Sequence, residues 1–119
     1  MNLQQESIAR RSAKRLAEYI DPHLPQQVDT ELSLGEKEKP LEKYGVELAL
    51  IVAIAALIIQ ISQFALDVYL SRKRKQQTPD ENALKELIRS ELKEISTLTE
   101  IQKDHVAQIV AQETLKTQS

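Results

Sequence analysis

The sequence predicts an all-α protein, in which a single-pass transmembrane helix lies between a short basic amphipathic N-terminal helix and a long amphipathic C-terminal helix. The first observation is an uncharged run of 19 residues over positions 48–66, of which eleven are Leu, Ile, Val or Phe and five are Ala. The second is that the segments on both sides repeat their apolar residues at the spacing of a helix. Strand and turn signals are too few to predict a sheet.

The transmembrane helix is expected over residues 44–70. Glu47 and Asp67 bracket the uncharged run, and a helix separates them by about 30 Å, the thickness of the hydrocarbon layer of a bilayer. Tyr44 and Tyr69 fall near the two interfaces with water, where aromatic rings are favoured. The eleven large apolar side chains, at about −0.5 kcal/mol each, favour insertion by about 5 kcal/mol. Length and composition therefore predict one membrane crossing.

The N-terminal segment, residues 1–21, is predicted to form a helix that ends before Pro22. Its basic face consists of Arg10, Arg11, Lys14 and Arg15. Its apolar face consists of Ile8, Ala9, Ala13, Leu16, Tyr19 and Ile20. A helix of this kind either lies on a membrane surface or packs on a partner, and both interpretations stay open.

Residues 22–43 are predicted to form a linker, since Pro22, Pro25 and Pro40 interrupt them and a charged run precedes Pro40. This segment contains only five large aliphatic side chains. A small water-soluble domain needs apolar surface on several elements at once. We therefore do not expect a globular domain that buries the apolar helix at its centre.

A long amphipathic helix is expected over residues 79–115, with a tail at residues 116–119. Thr78 is positioned to cap this helix, Pro79 suits its first position and Glu81 completes a capping box. Polar residues interrupt the heptad pattern, so a coiled coil is a possible form of this helix rather than a required one. Its apolar stripe predicts a C-terminal interaction face, which consists of Leu84, Ile88, Leu92, Ile95, Leu98, Val106, Ile109 and Val110.

The predicted transmembrane helix has two different sides. The bulky side is expected to face lipid and contains Leu50, Ile51, Ile54, Leu57, Ile58 and Ile61. The opposite side is small and polar, and it contains Gly45, Ala49, Ala53, Ala56, Gln60, Gln63 and Asp67. Small residues let two helices approach closely, and lipid does not satisfy the donors and acceptors of a glutamine amide. This stripe therefore predicts a transmembrane interface or the lining of a pore.

A basic connector is expected over residues 71–78. Its basic cluster consists of Arg72, Lys73, Arg74 and Lys75. Directly after a span, such a cluster is typical of a stop-transfer signal that contacts lipid head groups. More Lys and Arg residues follow the span than precede it, which favours a cytoplasmic C-terminus. Glu6 and Glu18 are atypical of an organelle transit peptide, so a bacterial inner membrane is the preferred location.

The expected function is that of a single-pass membrane protein that assembles with itself or with a larger membrane complex. The alternative is a small oligomeric pore, in which polar side chains line a shared axis. The expected partners are the bilayer and a second copy or a membrane-complex subunit. With no Cys, two distant His and two separate Gly, the sequence has no zinc or nucleotide-binding pattern. Enzyme activity, cofactors, nucleic acid and small-molecule substrates are not expected.

Overall fold

A computed structural model of the chain describes residues 2–34 and 46–118, and these residues form five helices and no strand. The helices are α1 (Leu3–Leu16), α2 (Leu24–Leu34), α3 (Val46–Arg74), α4 (Glu81–Glu91) and α5 (Glu100–Gln118). The prediction of an all-α fold is confirmed. α3 is long and apolar enough over residues 49–74 to cross a membrane. Tyr44, Gly45 and linker residues 35–43 lie outside the described residues.

The five helices pack into one bundle along α3. α3 contacts each of the other four helices, while α5 also contacts α1 and α4. The radius of gyration of the Cα atoms is 14.0 Å, which is close to the value of about 13.5 Å expected for a globular domain of this length. The bundle measures 47 × 29 × 22 Å, so α3, at 1.5 Å per residue, runs along its longest dimension.

One side of α3 is buried in this bundle and is called the inner side. It comprises Val52, Ile54, Ala55, Ile58, Ile61, Ala65 and Leu66, each with no more than 5% of its surface exposed. Fully buried side chains of the other helices complete the same core, among them Ile8, Leu16, Leu84, Ile88, Val106 and Val110. Each large aliphatic side chain buried in this way contributes about 1.5–3 kcal/mol. Packing against the inner side is therefore the main source of stability.

The expectation that no globular domain would bury the apolar helix is wrong for the inner side of α3. That expectation considers only the large aliphatic residues of the segment before α3. In the structure α2 packs along α3, and most of the other buried core side chains come from α1, α4 and α5. Each of those helices has too narrow an apolar stripe to be stable alone, and each gains stability by packing that stripe.

α1 begins with a capping box. The Asn2 side-chain oxygen accepts from the Gln5 backbone N–H at 2.8 Å, and the Gln5 side-chain oxygen accepts from the Asn2 backbone N–H at 3.2 Å. The predicted apolar face is fully buried at Ile8, Ala9, Ala13 and Leu16. Because α1 ends at Leu16, Tyr19 and Ile20 lie in the turn that follows it. This face packs within the chain, against α3 and α5.

The expected linker is wrong over residues 24–34, which form α2. The Asp21 carbonyl accepts from the backbone N–H of Leu24 at 3.1 Å and opens the helix. Pro25 does not break α2, because it lies in the first turn, where backbone N–H groups have no acceptor within the helix. Leu24 and Val28 are fully buried and extend the core.

The expected single helix over residues 79–115 is also wrong. α4 ends at Glu91, and Thr99 starts α5 with a capping box of its own. The Thr99 hydroxyl accepts from the Gln102 backbone N–H at 3.1 Å, and the Gln102 side-chain oxygen accepts from the Thr99 backbone N–H at 3.0 Å. The spacing of a threonine and a glutamine three residues apart is visible in the sequence and is a helix-start signal.

α4 and α5 fold back on each other as a hairpin. Arg89 donates to Glu100 at 2.6 Å and to Asp104 at 2.8 Å. Lys103, which is 4% exposed, donates to the carbonyl of Lys93 at 3.1 Å and to Glu100 at 2.9 Å. The hydrogen bond from Lys103, and then the one from Arg89, lower the pKa of Glu100. This reversal lets both helices turn their apolar stripes toward α3.

The ends of this hairpin differ from the prediction as well. Asp80 caps α4, since its side chain accepts from the Ala83 backbone N–H at 2.8 Å. The predicted cap, Thr78, lies two residues before Asp80 and outside the helix, which begins at Glu81. α5 continues to Gln118, so the expected tail is helical up to that residue.

We predict that Ile58→Ala lowers the free energy of unfolding by about 2–5 kcal/mol, because Ile58 is completely buried. The matched control is Gln60→Ala, which lies two residues away and is exposed, and it should change the same free energy by less than about 0.5 kcal/mol. Urea unfolding in aqueous buffer, followed by circular dichroism, measures both variants. Equally small effects would contradict the burial of the inner side.

Candidate functional site

The side of α3 that the other helices leave uncovered is called the outer face. Within residues 49–70, the exposed positions are Leu50, Ala53, Gln60, Gln63 and Asp67. All five fall on one side of an ideal helix, because successive residues rotate by 100°. The outer face therefore contains four of the residues that the sequence grouped as a small and polar stripe.

The remaining residues of that stripe are placed differently. Ala49 and Ala56 are half-buried beside the outer face, and Gly45 lies outside the described residues. Leu50, which was grouped with the bulky side, keeps 46% of its surface exposed and belongs to the outer face. The division of α3 into a bulky and a small, polar side is therefore preserved in the bundle, with the bulky side turned inward.

The two glutamines of the outer face have free amides. Neither Gln60 nor Gln63 forms a hydrogen bond with any residue in the described ranges 2–34 and 46–118. Ser62, on the inner side, behaves differently, since its hydroxyl donates to the Ile58 carbonyl at 2.8 Å and is satisfied within α3. The outer face thus presents unpaired donors and acceptors, whereas the inner side presents none at this position.

The C-terminal end of the outer face meets α1. The Gln5 side-chain amide donates to the Asp67 carboxylate at 3.5 Å. Gln5 itself is only 6% exposed. The first turn of α1 therefore lies beside Asp67, at the end of the bundle where α3 finishes.

A groove of about 570 Å³ lies between the C-terminal part of α3 and α4. It is lined by Phe64, Asp67, Val68, Ser71, Arg72, Lys75, Gln77 and Leu87. Phe64, Val68 and Leu87 are half-buried and give it an apolar part, while Arg72 and Lys75 are exposed and give it positive charge. The spacing of Phe64 and Val68, one turn apart, is visible in the sequence, but the contribution of Leu87 depends on the tertiary fold.

The basic cluster surrounds the end of α3. All four of its side chains are exposed, and none forms an ion pair within the part of the chain that the structure describes. By contrast, Arg10, Arg15 and Arg89 are each paired with a carboxylate. Arg72, Lys73 and Arg74 point in different directions around the helix axis, and Lys75 lies in the turn that follows. The basic cluster is therefore a free positive surface at one end of the bundle.

The backbone at this end is well defined. Gln76 adopts a left-handed conformation with φ of 59°. Its N–H donates to the Lys73 carbonyl at 3.0 Å, and the Gln77 N–H donates to the Arg72 carbonyl at 2.8 Å. These two bonds form a Schellman motif, which satisfies the last carbonyls of α3 and holds the basic cluster on an ordered helix end.

The predicted C-terminal interaction face is occupied within the chain itself. Leu84, Ile88, Leu92, Leu98, Val106, Ile109 and Val110 are buried, and Ile95 is partly buried against them. α4 and α5 use this face to pack on each other and on α3, and α5 uses it on α1 as well. In the bundle it is therefore not open to another protein.

α1 and α5 are joined across the bundle by polar and aromatic contacts, which together are called the α1–α5 contact. Arg15 donates to Glu113 at 2.9 Å and to Gln112 at 2.6 Å. The Glu113 side chain is only 4% exposed, and its carboxylate also lies 3.5 Å from the Lys116 ammonium, so it is paired with two cations. The same contact includes the rings of Tyr19 and His105, which stack with their centroids 3.9 Å apart.

No protein-family model, no curated protein and no solved structure matches this chain.

Proposed function

We propose that this protein is a single-pass membrane assembly protein. In this proposal α3 is the spanning helix, and its outer face contacts a second copy or a subunit of a larger membrane complex. The division of α3 into an inner side, already in an apolar environment, and a polar outer face carries the proposal.

The two sides of α3 have different requirements in a bilayer. The inner side needs an apolar environment, which either the bundle or lipid supplies. Gln60 and Gln63 on the outer face need hydrogen-bond partners, which lipid does not supply. A helix that inserts with its inner side toward lipid would therefore turn its outer face toward another helix, where small residues and amides favour association.

The bundle and a spanning α3 are two conformations of one chain. A spanning α3 places α1 and α2 on one side of the membrane and α4 and α5 on the other. The α1–α5 contact cannot exist in that arrangement, and the charges of Arg15 and Glu113 cannot accompany the middle of α3 into lipid. Insertion therefore requires α1 to separate from α5.

Transfer of α3 into lipid compensates for part of the stability that is lost with the bundle. Insertion of the uncharged run is favoured by about 5 kcal/mol. The net stability of a small domain is about 5–15 kcal/mol. A partner at the outer face stabilises the inserted conformation further.

The proposed location follows from the basic cluster. In the inserted conformation it acts as a stop-transfer signal and keeps the C-terminal hairpin in the cytoplasm. A bacterial inner membrane is the proposed membrane.

A small oligomeric pore is the second candidate. It is favoured by one observation, that Gln60, Gln63 and Asp67 are all exposed on the same face. A ring of several copies could turn these side chains toward a shared axis, where polar and acidic rings conduct cations. Ion conductance across bilayers that contain the purified protein separates a pore from a packed assembly.

Fluorescence energy transfer tests whether α3 crosses a bilayer. The chain has no native cysteine. A second groove lies between α1 and α5, and Lys14 and Gln108 line it from opposite sides. The substitutions Lys14→Cys and Gln108→Cys can therefore carry a donor and an acceptor fluorophore across this contact. We predict efficient transfer in buffer and a large loss after reconstitution into vesicles, because a bilayer then separates the two labels.

The control pair is Glu81→Cys and Gln112→Cys, whose side chains meet at 3.2 Å across the α4–α5 hairpin. Both labels stay on one side of the membrane, so their transfer should not change. Undiminished transfer between the first pair, in protein that resists alkaline extraction from the vesicles, would contradict a spanning α3.

Oligomeric mass in detergent tests the role of the outer face. We predict that the chain forms a defined oligomer. The double variant Gln60→Leu, Gln63→Leu should weaken this association by about tenfold or more, because each lost interhelical hydrogen bond contributes about 0.6–2 kcal/mol. The control variant Gln4→Leu, Gln108→Leu removes two exposed amides outside α3 and should leave the mass unchanged. A monomeric wild-type chain would refute self-association.

A further inference from the structure

We infer that the folded bundle binds the surface of an anionic phospholipid bilayer through the basic cluster and the adjoining groove. This inference shares with the proposed function only the presence of a bilayer, since it does not require α3 to insert. It assigns a ligand class to a surface of the compact conformation, in which α3 is still covered by the other helices.

The charges of this surface favour an anionic ligand. The basic cluster supplies four cations without carboxylate partners among the described residues, and Asp67 is the one acidic residue in the groove lining. The whole chain has a net charge of −2, so an anionic bilayer repels it unless this end of the molecule faces the lipid. The charge distribution therefore selects both the ligand and the orientation of the bundle.

The groove favours a phospholipid over a ligand that carries only charge. Arg72, in the last turn of α3, and Lys75, just after its end, line the groove together with Phe64 and Val68. A phosphate held by the two cations would leave the apolar part of a lipid next to Phe64, Val68 and Leu87. An inorganic anion has no apolar part to place there, and the bases of duplex DNA are already stacked inside the duplex.

A further apolar residue belongs to the same end of the bundle. Leu3 is 81% exposed in the first turn of α1, and Gln5, two residues later, reaches Asp67 at 3.5 Å. Exposed leucines beside basic residues are typical of protein segments that lie at the interface between head groups and acyl chains. Leu3 is therefore an exposed apolar side chain at this end of the bundle, on the side of α1 that is turned away from Asp67.

Each basic residue close to an anionic membrane contributes about fivefold to binding. Four such residues predict a preference on the order of several hundredfold for anionic over zwitterionic vesicles at low salt. The preference should disappear near 1 M salt, where the Debye length falls to about 3 Å.

Vesicle flotation of the purified full chain measures this binding, with phosphatidylcholine vesicles and with vesicles that also contain phosphatidylserine. The test variant replaces all four residues of the basic cluster by glutamine, Arg72→Gln, Lys73→Gln, Arg74→Gln and Lys75→Gln. The control variant makes the same change in net charge elsewhere, through Arg11→Gln, Lys14→Gln, Lys85→Gln and Lys93→Gln. Circular dichroism and urea unfolding check that both variants keep the bundle.

We expect the test variant to lose on the order of several hundredfold in affinity for anionic vesicles and the control variant to lose less than about fivefold. Equal losses in the two variants would overturn the inference, since binding would then depend on total charge. Binding to duplex DNA with the same or higher affinity would also overturn it. Binding that salt reverses, with no inserted fraction after alkaline extraction, would support this inference and refute the proposed insertion of α3.

Discussion

The exclusion of the bulky side of α3 from water is the constraint on which the rest of this structure depends. The inner side of α3 is almost fully buried along the bundle. Four short helices achieve this burial, and each of them has an apolar stripe that also needs cover. This burial requires the chain to reverse direction between short helices. The turn between α1 and α2 and the hairpin of α4 and α5 do this, so that all four amphipathic helices lie along α3.

Much of this arrangement could be predicted from the sequence, because helical periodicity is local. The apolar faces of α1, α4 and α5 contain the residues that the sequence grouped, such as Ile8, Ile88 and Val110, and α3 has the two sides that its spacing indicates. What could not be predicted is which surfaces meet, since the packing of α1 against α5 joins residues about a hundred positions apart. The break between α4 and α5 had a local signal, the Thr99–Gln102 capping box.

The outer face was predicted by the same reasoning, and its surroundings were not. The sequence places Gln60, Gln63 and Asp67 together, but it does not show that α1 reaches Asp67 or that Leu87 completes a groove beside it. Those features combine α1, α3 and α4. The surfaces that remain open in the bundle are therefore few and specific: a small and polar face along α3, and a positive end where α3 finishes.

Cysteine accessibility along α3 tests the orientation of this helix most directly. Single substitutions Ala53→Cys and Gln63→Cys are on the outer face, and Ala55→Cys and Ala65→Cys are on the fully buried inner side. In aqueous buffer, the first two should react with a maleimide as fast as a free thiol, and the other two should react at least about 100-fold more slowly, because they require the bundle to open. Equal rates at all four positions, or protection of the outer pair alone, would contradict the burial of the inner side.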